Sequence, residues 1–323
     1  MLIRPMLATP SGRRVFDPGW LLERKLDGVR AVAERDGGSV RLVSRTGRPM
    51  EGGYPELVAA LAAQPVPRFA VDGEIVAFDA SGRTSFTRLQ RRMQLRDPRR
   101  AAASGVRVSY FLFDLTALMG HDTTGLTLLE RKQLLRESIG FDDPLHFTEH
   151  VRADGPVPLA EACARGWEGL VAKRADSRYV PQRSPDWLKL PCTVGQELVI
   201  GGFTDPGGRR SGFGALLVGH YRGGLLRYAG KVGTGFDTAG LHRLRAELDA
   251  LARPDPPFAD PPEEEPRAHW VQPRLVARVA FTEWTRDGRL RAPRFEGLRT
   301  DKRAEDVVRE DVAREDPPEP PAR

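Results

Sequence analysis

Only six of the fifty basic residues in this 323-residue chain are lysines, at positions 25, 132, 173, 189, 231 and 302, and the remaining 44 are arginines. A chain that uses Arg wherever a cation will do should keep Lys where a compact, titratable ammonium is required, so these positions are the first places to look for chemistry. In ERKLDGVR, Lys25 stands at the end of a predicted strand and Asp27-Gly28 makes the turn. Taken alone, KLDG reads first as a common hairpin turn with a solvated lysine, and the rest of the chain decides against that reading. VDGEIVAFD places Asp72 and Glu74 on one face of a strand, because side chains alternate with period two. Two carboxylates on an apolar strand are costly if buried unpaired, so cations or a metal should face them. EGLVAKR sets Glu168 before another apolar strand with Lys173 at its far end, and RSPDWLKL places Lys189 in a third.

The elements that must position these residues are short β-rich runs mixed with amphipathic helices. Predicted strands are 21–25, 30–35, 40–44, 69–79, 108–115 and 169–174, and predicted helices are 55–64, 85–95, 127–138 and 158–166. Long strands with dispersed helices argue for an α+β fold and against a regular βαβ repeat. After WLKLP the pattern changes to ELVIGGF, FGALLVGHY, LLRYAGKV and LVARVAFTEW, separated by Gly-rich turns such as DPGGRRSG and one helix at TAGLHRLRAELDALA. Several short strands and one helix in that length predict a small Greek-key barrel of OB type. The expected organisation is therefore 1–193, 194–305 and a disordered acidic tail at 306–323. A Pro-rich acidic loop, RPDPPFADPPEEEPR, interrupts the second domain.

The formal net charge of +6 suits a polyanionic partner, although charge alone decides little. The most apolar run, VSYFLFDLTALM, is too short for a bilayer and carries Asp114, and MLIRPMLATP has no secretory apolar core. A cytoplasmic protein with no membrane partner is expected. Cys163 and Cys192 lack a CxxC pattern and are expected to be isolated, inert thiols in a reducing compartment. The histidines show no metal-ligand spacing, and GKVGTGF is not the phosphate loop GxxxxGK[ST].

Together the motifs resemble the covalent nucleotidyltransferases, and specifically the ATP-dependent DNA ligases, over nearly the whole chain. KLDGVR is similar to motif I, SRTG (44–47) to motif Ia, VDGEIVAFD to motif III, FLFDL (111–115) to motif IIIa, EGLVAK to motif IV and WLKL (187–190) to motif V. The segments after residue 193 resemble the OB domain of the ligase module in bacterial end-joining ligase D proteins. The resemblance implies an adenylation domain of antiparallel sheets with flanking helices, followed by an OB-fold β-barrel.

In that family a lysine attacks the α-phosphorus of ATP, releases pyrophosphate and holds AMP through a phosphoramide bond. AMP then moves to a 5′-phosphate at a nick, and the 3′-hydroxyl displaces it. Lys25 matches the nucleophile. A lysine amine with an ordinary pKa of about 10.4 is almost wholly protonated near neutrality, so neighbouring cations such as Lys189 and Arg183 should make it less basic. The resemblance further implies that Glu23 reads the adenine amino group and Phe113 stacks on the ring. Arg30 and Glu74 would hold the ribose region and Arg45 would contact phosphate. Glu74 and Glu168 would ligate Mg²⁺, with Mn²⁺ as the alternative. RFEGLRTDK resembles motif VI, which implies that Arg299 and Lys302 reach the pyrophosphate. Asp27 and Asp72 are expected to orient neighbours.

One departure stands out. The family often has Lys-x-Lys in motif V, and here the second position is Pro191, so Lys173 or a second-domain residue is expected to supply the missing phosphate contact. RLQRRMQLRDPRR (88–100) holds six arginines that could clamp DNA phosphates without reading sequence. The expected partner is nicked or broken double-stranded DNA, with separate end-binding and repair polymerase proteins as further partners, and the chain is expected to act as a monomer. RNA ligases and GTP-using capping enzymes share Lys-x-Asp-Gly and stay open as alternatives, as does a catalytically weak DNA-end binding module.

Overall fold

The computed structural model describes residues 3–192, 195–207, 212–262, 268–285 and 287–310. The chain divides into two compact units after Cys192. The expected boundary at 193, residues 208–211 of the DPGGRRSG turn, the end of the acidic Pro-rich loop and tail residues 311–323 lie outside the described residues.

In the first unit the strands of three or more residues are β1 (Leu7–Pro10), β2 (Trp20–Arg24), β3 (Val29–Asp36), β4 (Ser39–Ser44), β5 (Arg68–Val76), β6 (Ser109–Leu118), β7 (Leu145–Phe147), β8 (His150–Arg152), β9 (Gly169–Arg174) and β10 (Arg183–Pro191). The longer helices are α1 (Pro55–Ala62), α2 (Phe86–Met93), α3 (Leu128–Ser138) and α4 (Leu159–Ala164). One sheet runs β1-β10-β9-β2-β8, and a second runs β4-β3-β5-β6, with β7 also paired to β6. Of these pairings, β1 with β10 and β7 with β6 are parallel and the others antiparallel.

Alternation explains which residues meet the core. On β3 and β5, Val29, Ala31, Ala33, Phe69, Val71 and Ile75 pack with Leu57 and Leu61 of α1, which turns Arg30, Asp72 and Glu74 to the other face. On β6, Leu112 opposes Gly73 and Asp114 opposes Asp72, so Phe113 is the extra residue of a bulge. Helix α3 begins in a capping box: Glu130 N–H donates to Thr127 Oγ1 at 3.3 Å, and Thr127 N–H donates to Glu130 Oε2 at 2.8 Å.

The isolated-thiol expectation is overturned: Cys163 and Cys192 form a disulfide, with Cα atoms 5.5 Å apart. Helix α4 carries Cys163, and the Cys192 N–H donates to the Glu168 carbonyl at 2.9 Å, which turns the end of β10 back toward α4. A sequence separation of 29 without a motif hid the pair.

The second unit contains β11 (Gly195–Thr204), β12 (Leu216–Arg222), β13 (Leu225–Val232), α5 (Thr238–Asp249), β14 (Ala268–Val271), β15 (Val276–Ala280) and β16 (Arg294–Leu298). β11 is shared: residues 195–199 pair with β15, residues 202–204 pair with β14, and β12 lies on its other edge. Its core joins Leu198, Ile200, Val218 and Val279 to Leu241, Leu244 and Leu248 of α5. The placement of residues 306–310 in a disordered tail is corrected. Val307 is buried, its carbonyl accepts from Tyr221 N–H at 2.7 Å, and Glu310 N–H donates to Gln196 Oε1 at 3.0 Å. An apolar contact at Val307 keeps this segment on the sheet.

Candidate active site

Leu21, Glu23 and Lys25 follow one another at spacing two, so the face that begins in the core ends on the candidate nucleophile just past β2. Lys25 N–H donates to the Gly169 carbonyl at 3.0 Å, and its Nζ lies 2.5 Å from Glu168 Oε1. Both side chains are about four-fifths covered, at 19% and 15% exposure, which leaves the amine reachable but shielded. Gly28 closes the turn because β5 runs directly against it: a Cβ there would sit 2.2 Å from the Ile75 carbonyl. KLDG is therefore pressed onto the strand that carries Asp72 and Glu74.

On that strand the expected cation is present. Arg30, opposite Glu74 across the β3–β5 ladder, donates through Nε and Nη2 to the two oxygens of Asp72, both at 2.6 Å, and through Nη2 to the Met6 carbonyl at 3.1 Å. Tyr179 also donates its hydroxyl to Asp72, and burial followed by the nearby carboxylate pushes that phenol well above its usual range. Asp72 thus fixes Arg30 in a fork geometry, as befits a planar guanidinium.

Glu23 is buried between two lysines. Lys132 Nζ donates to Oε1 at 2.8 Å and Lys173 Nζ lies 2.7 Å from Oε2. Burial alone would raise the Glu23 carboxyl, yet the two ammonium groups hold it below the usual carboxylate range. Lys173 responds in the opposite direction, because burial brings its ammonium down to about 8 despite Glu23. Its Nζ sits 4.1 Å from the ring centres of both Phe113 and Trp187.

Phe113 is placed differently from the expectation that it stacks on a base. The β6 bulge sends it into a buried cluster with Met6, Leu21, Tyr179 and Trp187, where Arg30 lies over its ring at 4.5 Å. The aromatic residue of β6 that faces open space is Phe111. Together with Glu23, Leu26, Thr148, His150, Trp167 and others it lines a cavity of about 490 Å³. Within this lining Thr148 Oγ1 and His150 Nδ1 are buried without a hydrogen-bond partner, as polar groups awaiting a ligand or water would be.

Lys189 lies on β10 across from Val171, itself the cross-strand neighbour of Glu23. Arg183, at the exposed start of β10, donates to the Ala8 carbonyl. Arg45 follows β4 in a turn and is half-buried. Pro191 ends β10 opposite Gly169. Inside the second unit, Arg299 is buried and donates to both Asp301 oxygens at 2.9 and 2.8 Å, while Lys302 pairs with Glu197 at 2.6 Å. Of the six arginines proposed as a DNA clamp, Arg92 is structural: it is buried and donates to Glu56 and to the Gly53 and Val106 carbonyls.

Comparison with known proteins decides the family. Residues 5–190 match the family model described as ATP dependent DNA ligase domain, and residues 209–302 match the ATP dependent DNA ligase C terminal region. The chain belongs to the ATP-dependent DNA ligases. It is 40% identical over 298 residues to the multifunctional non-homologous end joining protein LigD of Pseudomonas aeruginosa, a match covering 90% of this chain and 35% of that protein. Against the corresponding DNA repair protein LigD of Mycobacterium tuberculosis the figures are 39% over 315 residues, 95% and 40%. The ligase chain thus spans about two-fifths of the length of these relatives. It resembles the solved mycobacterial DNA ligase D complexed with ATP and MES at TM-score 0.66 and 36% identity, covering 95% of this chain and 98% of that one. The ligase domain of M. tuberculosis LigD matches at TM-score 0.51 and 38% identity, with the same coverage. The fold is accordingly an α+β adenylation domain followed by an OB-fold domain, as the motifs implied.

Sequence reasoning missed several residues that support the site of this ligase. Asp114 and Arg131 form a fully buried pair, with Nε to Oδ1 at 2.6 Å and Nη2 to Oδ2 at 3.0 Å, that ties α3 to β6. Lys132 is the next residue. The signal was present in α3, because the i, i+3, i+4, i+7 stripe Leu128, Arg131, Lys132, Leu135 is buried throughout. Trp187 lies within WLKL, and only the fold shows it as a ring beneath Lys173.

Proposed function

We propose that this ligase seals 5′-phosphate/3′-hydroxyl breaks in double-stranded DNA through a covalent lysyl-AMP intermediate, and that it serves end joining. The observation that carries the reading is the Lys25–Glu168 pair at the mouth of β2, two residues beyond the buried Glu23 carboxylate, in a chain of this family. In the first step the neutral Lys25 amine forms a bond to the α-phosphorus of ATP as the bond to pyrophosphate breaks, and the amine proton leaves to solvent. In the second, a 5′-phosphate oxygen of DNA displaces Lys25 from AMP. In the third, the 3′-hydroxyl displaces AMP and completes the phosphodiester. Arginine could not serve at position 25, because guanidinium stays protonated.

The base is assigned to the cavity beside Glu23, where the carboxylate accepts from its amino group and Phe111 offers an aromatic face. Arg30, held by Asp72, and Glu74 across the ladder from it are assigned to the ribose side. Lys189, Lys173, Arg183 and Arg45 are assigned to phosphate, and Arg299 and Lys302 to the leaving pyrophosphate. Among the described residues no three His, Cys, Asp or Glu side chains converge as a metal cage. Mg²⁺ is commonly bound through one or two carboxylates with waters and substrate phosphates, and needs no such cage. Glu74 and Glu168 would hold it, and Mn²⁺ would accept the same oxygens. When bound it would neutralise charge on the reacting phosphate.

Cytoplasmic residence is part of the same reading. No helix among the described residues is long and apolar enough to cross a membrane. Separate end-binding and polymerase proteins are assigned as partners on the strength of the relatives' end-joining names. Intact mass before and after ATP tests the core of the proposal. A gain of one AMP, lost on adding pyrophosphate, is expected, whereas an unchanged mass with ATP and a gain with GTP would replace this reading with a capping-type one.

A further inference from the structure

Lys132 is one of only six lysines in the chain, sits on a helix outside every ligase motif, and is 1% exposed. Burying an ammonium is costly unless its donors are satisfied. Its Nζ faces three acceptors: Glu23 Oε1 at 2.8 Å, the Thr148 carbonyl at 3.1 Å and, more weakly, the Phe113 carbonyl at 3.5 Å. One side chain of α3 thereby joins β2, β6 and the link between β7 and β8.

Glu23 is held from two sides by groups of different character. Lys173 pairs with Oε2 from a neighbouring strand and rests against two aromatic rings. Lys132 pairs with Oε1 and is anchored by the Thr148 carbonyl in the link between β7 and β8 and, more weakly, by the Phe113 carbonyl on β6, so it has little freedom to move. A carboxylate on an unsupported strand edge could rotate between rotamers, whereas one gripped at both oxygens keeps its plane. Glu23 and Thr148, both touched by Lys132, also line the cavity of about 490 Å³.

We propose that Lys132 is a positioning residue that fixes the Glu23 carboxylate toward the base, and so sets the preference for a nucleotide with an exocyclic amine at that edge over one with a carbonyl. This rests on the assignment of the base to the cavity beside Glu23. An anion accepts from the 6-amino group of adenine and repels the 6-carbonyl of guanine, and that discrimination depends on its being held in place.

Lys132→Met keeps length and apolar character but removes the charge and the donors. Adenylylation would be measured with ATP and with GTP over a concentration series, beside Lys132→Arg and Glu23→Gln. For Lys132→Met the KM for ATP should rise tenfold or more while the rate at saturating ATP falls less than threefold. The ATP-over-GTP preference should drop at least tenfold, and Lys132→Arg should recover part of both. If Lys132→Met does not fold, Lys132→Gln, which retains two N–H donors without charge, should show the same loss of preference. Should Glu23→Gln leave the preference unchanged, the placement of the base itself is wrong. If Glu23→Gln changes the preference and a folded, uncharged Lys132 variant does not, the positioning role of Lys132 is overturned.

Discussion

Lys25 and Glu168 are bound to each other through two layers of structure. Their strands are joined by the hydrogen bond from Lys25 N–H to the Gly169 carbonyl at 3.0 Å, and their side chains meet at 2.5 Å. The amine is therefore aimed by backbone pairing as well as by charge. Lys25→Ala and Lys25→Arg should both abolish transfer of AMP from radiolabelled ATP to the protein, since neither offers a neutral amine. Label retained in either variant would remove Lys25 from its role.

Gly169 carries the same alignment. Its φ is +144°, and a Cβ there would lie 2.3 Å from the Leu190 carbonyl oxygen and 2.7 Å from Pro191 Cα, both backbone atoms that cannot swing away. Gly169→Ala should cost about 2–4 kcal/mol of stability through strain and crowding. Urea denaturation reads this, and a loss below about 0.5 kcal/mol would mean that the two strands separate easily.

Lys173 makes stability depend on pH in a defined direction. Its folded-state pKa is lowered to about 8 from an ordinary 10.5, with burial as the main cause. Between those values the unfolded chain binds a proton that the folded chain has released, so this group raises stability as pH climbs through the window. Its full penalty is present below pH 8. Wild type should therefore gain stability relative to Lys173→Met between pH 8 and 10.5, measured by denaturant titration at each pH. A flat or falling difference would contradict the burial seen here.

Lys302 separates the reaction steps. A cation aimed at a leaving group lowers only the barrier in which that group departs. Lys302→Ala should slow charging by ATP tenfold or more, yet seal a nick that already carries 5′-linked AMP within threefold of wild type. A point substitution is the proper test, because truncation before Arg299 would also strip Ala304 and Val307 from the core of the second unit. Equal loss in both assays would mean that Lys302, with Glu197, serves the fold or grips DNA.

Much of the scaffold was legible because strands write their pattern locally. Residues 169–174 and the cores of β3 through β6 alternate or run apolar between turn signals, and the motifs named the positions lining them. The β6 bulge was not legible, since a one-residue register shift is decided by the partner strand, and it is what buries Phe113 while Phe111 lines the cavity. Arg131 and Lys132 stand on a stripe that the helical spacing marks, yet their burial was not legible for another reason. Charged residues on a helix are ordinarily assigned to solvent, and only the carboxylates of Asp114 and Glu23, distant in sequence, make their burial tolerable.

The Cys163–Cys192 bond has a topological consequence. It turns the stretch from α4 to the end of β10 into a covalent ring that encloses Glu168, Lys173, Arg183 and Lys189. In the chain-entropy picture, closing a loop of this size removes roughly 3–4 kcal/mol of freedom from the unfolded chain. A protease cutting once within the ring would leave two pieces that migrate as one until a reductant is added. Three of the side chains assigned to the nucleotide's phosphates, Lys173, Arg183 and Lys189, thus travel together as a single cyclic cassette, whatever becomes of the rest of the polypeptide.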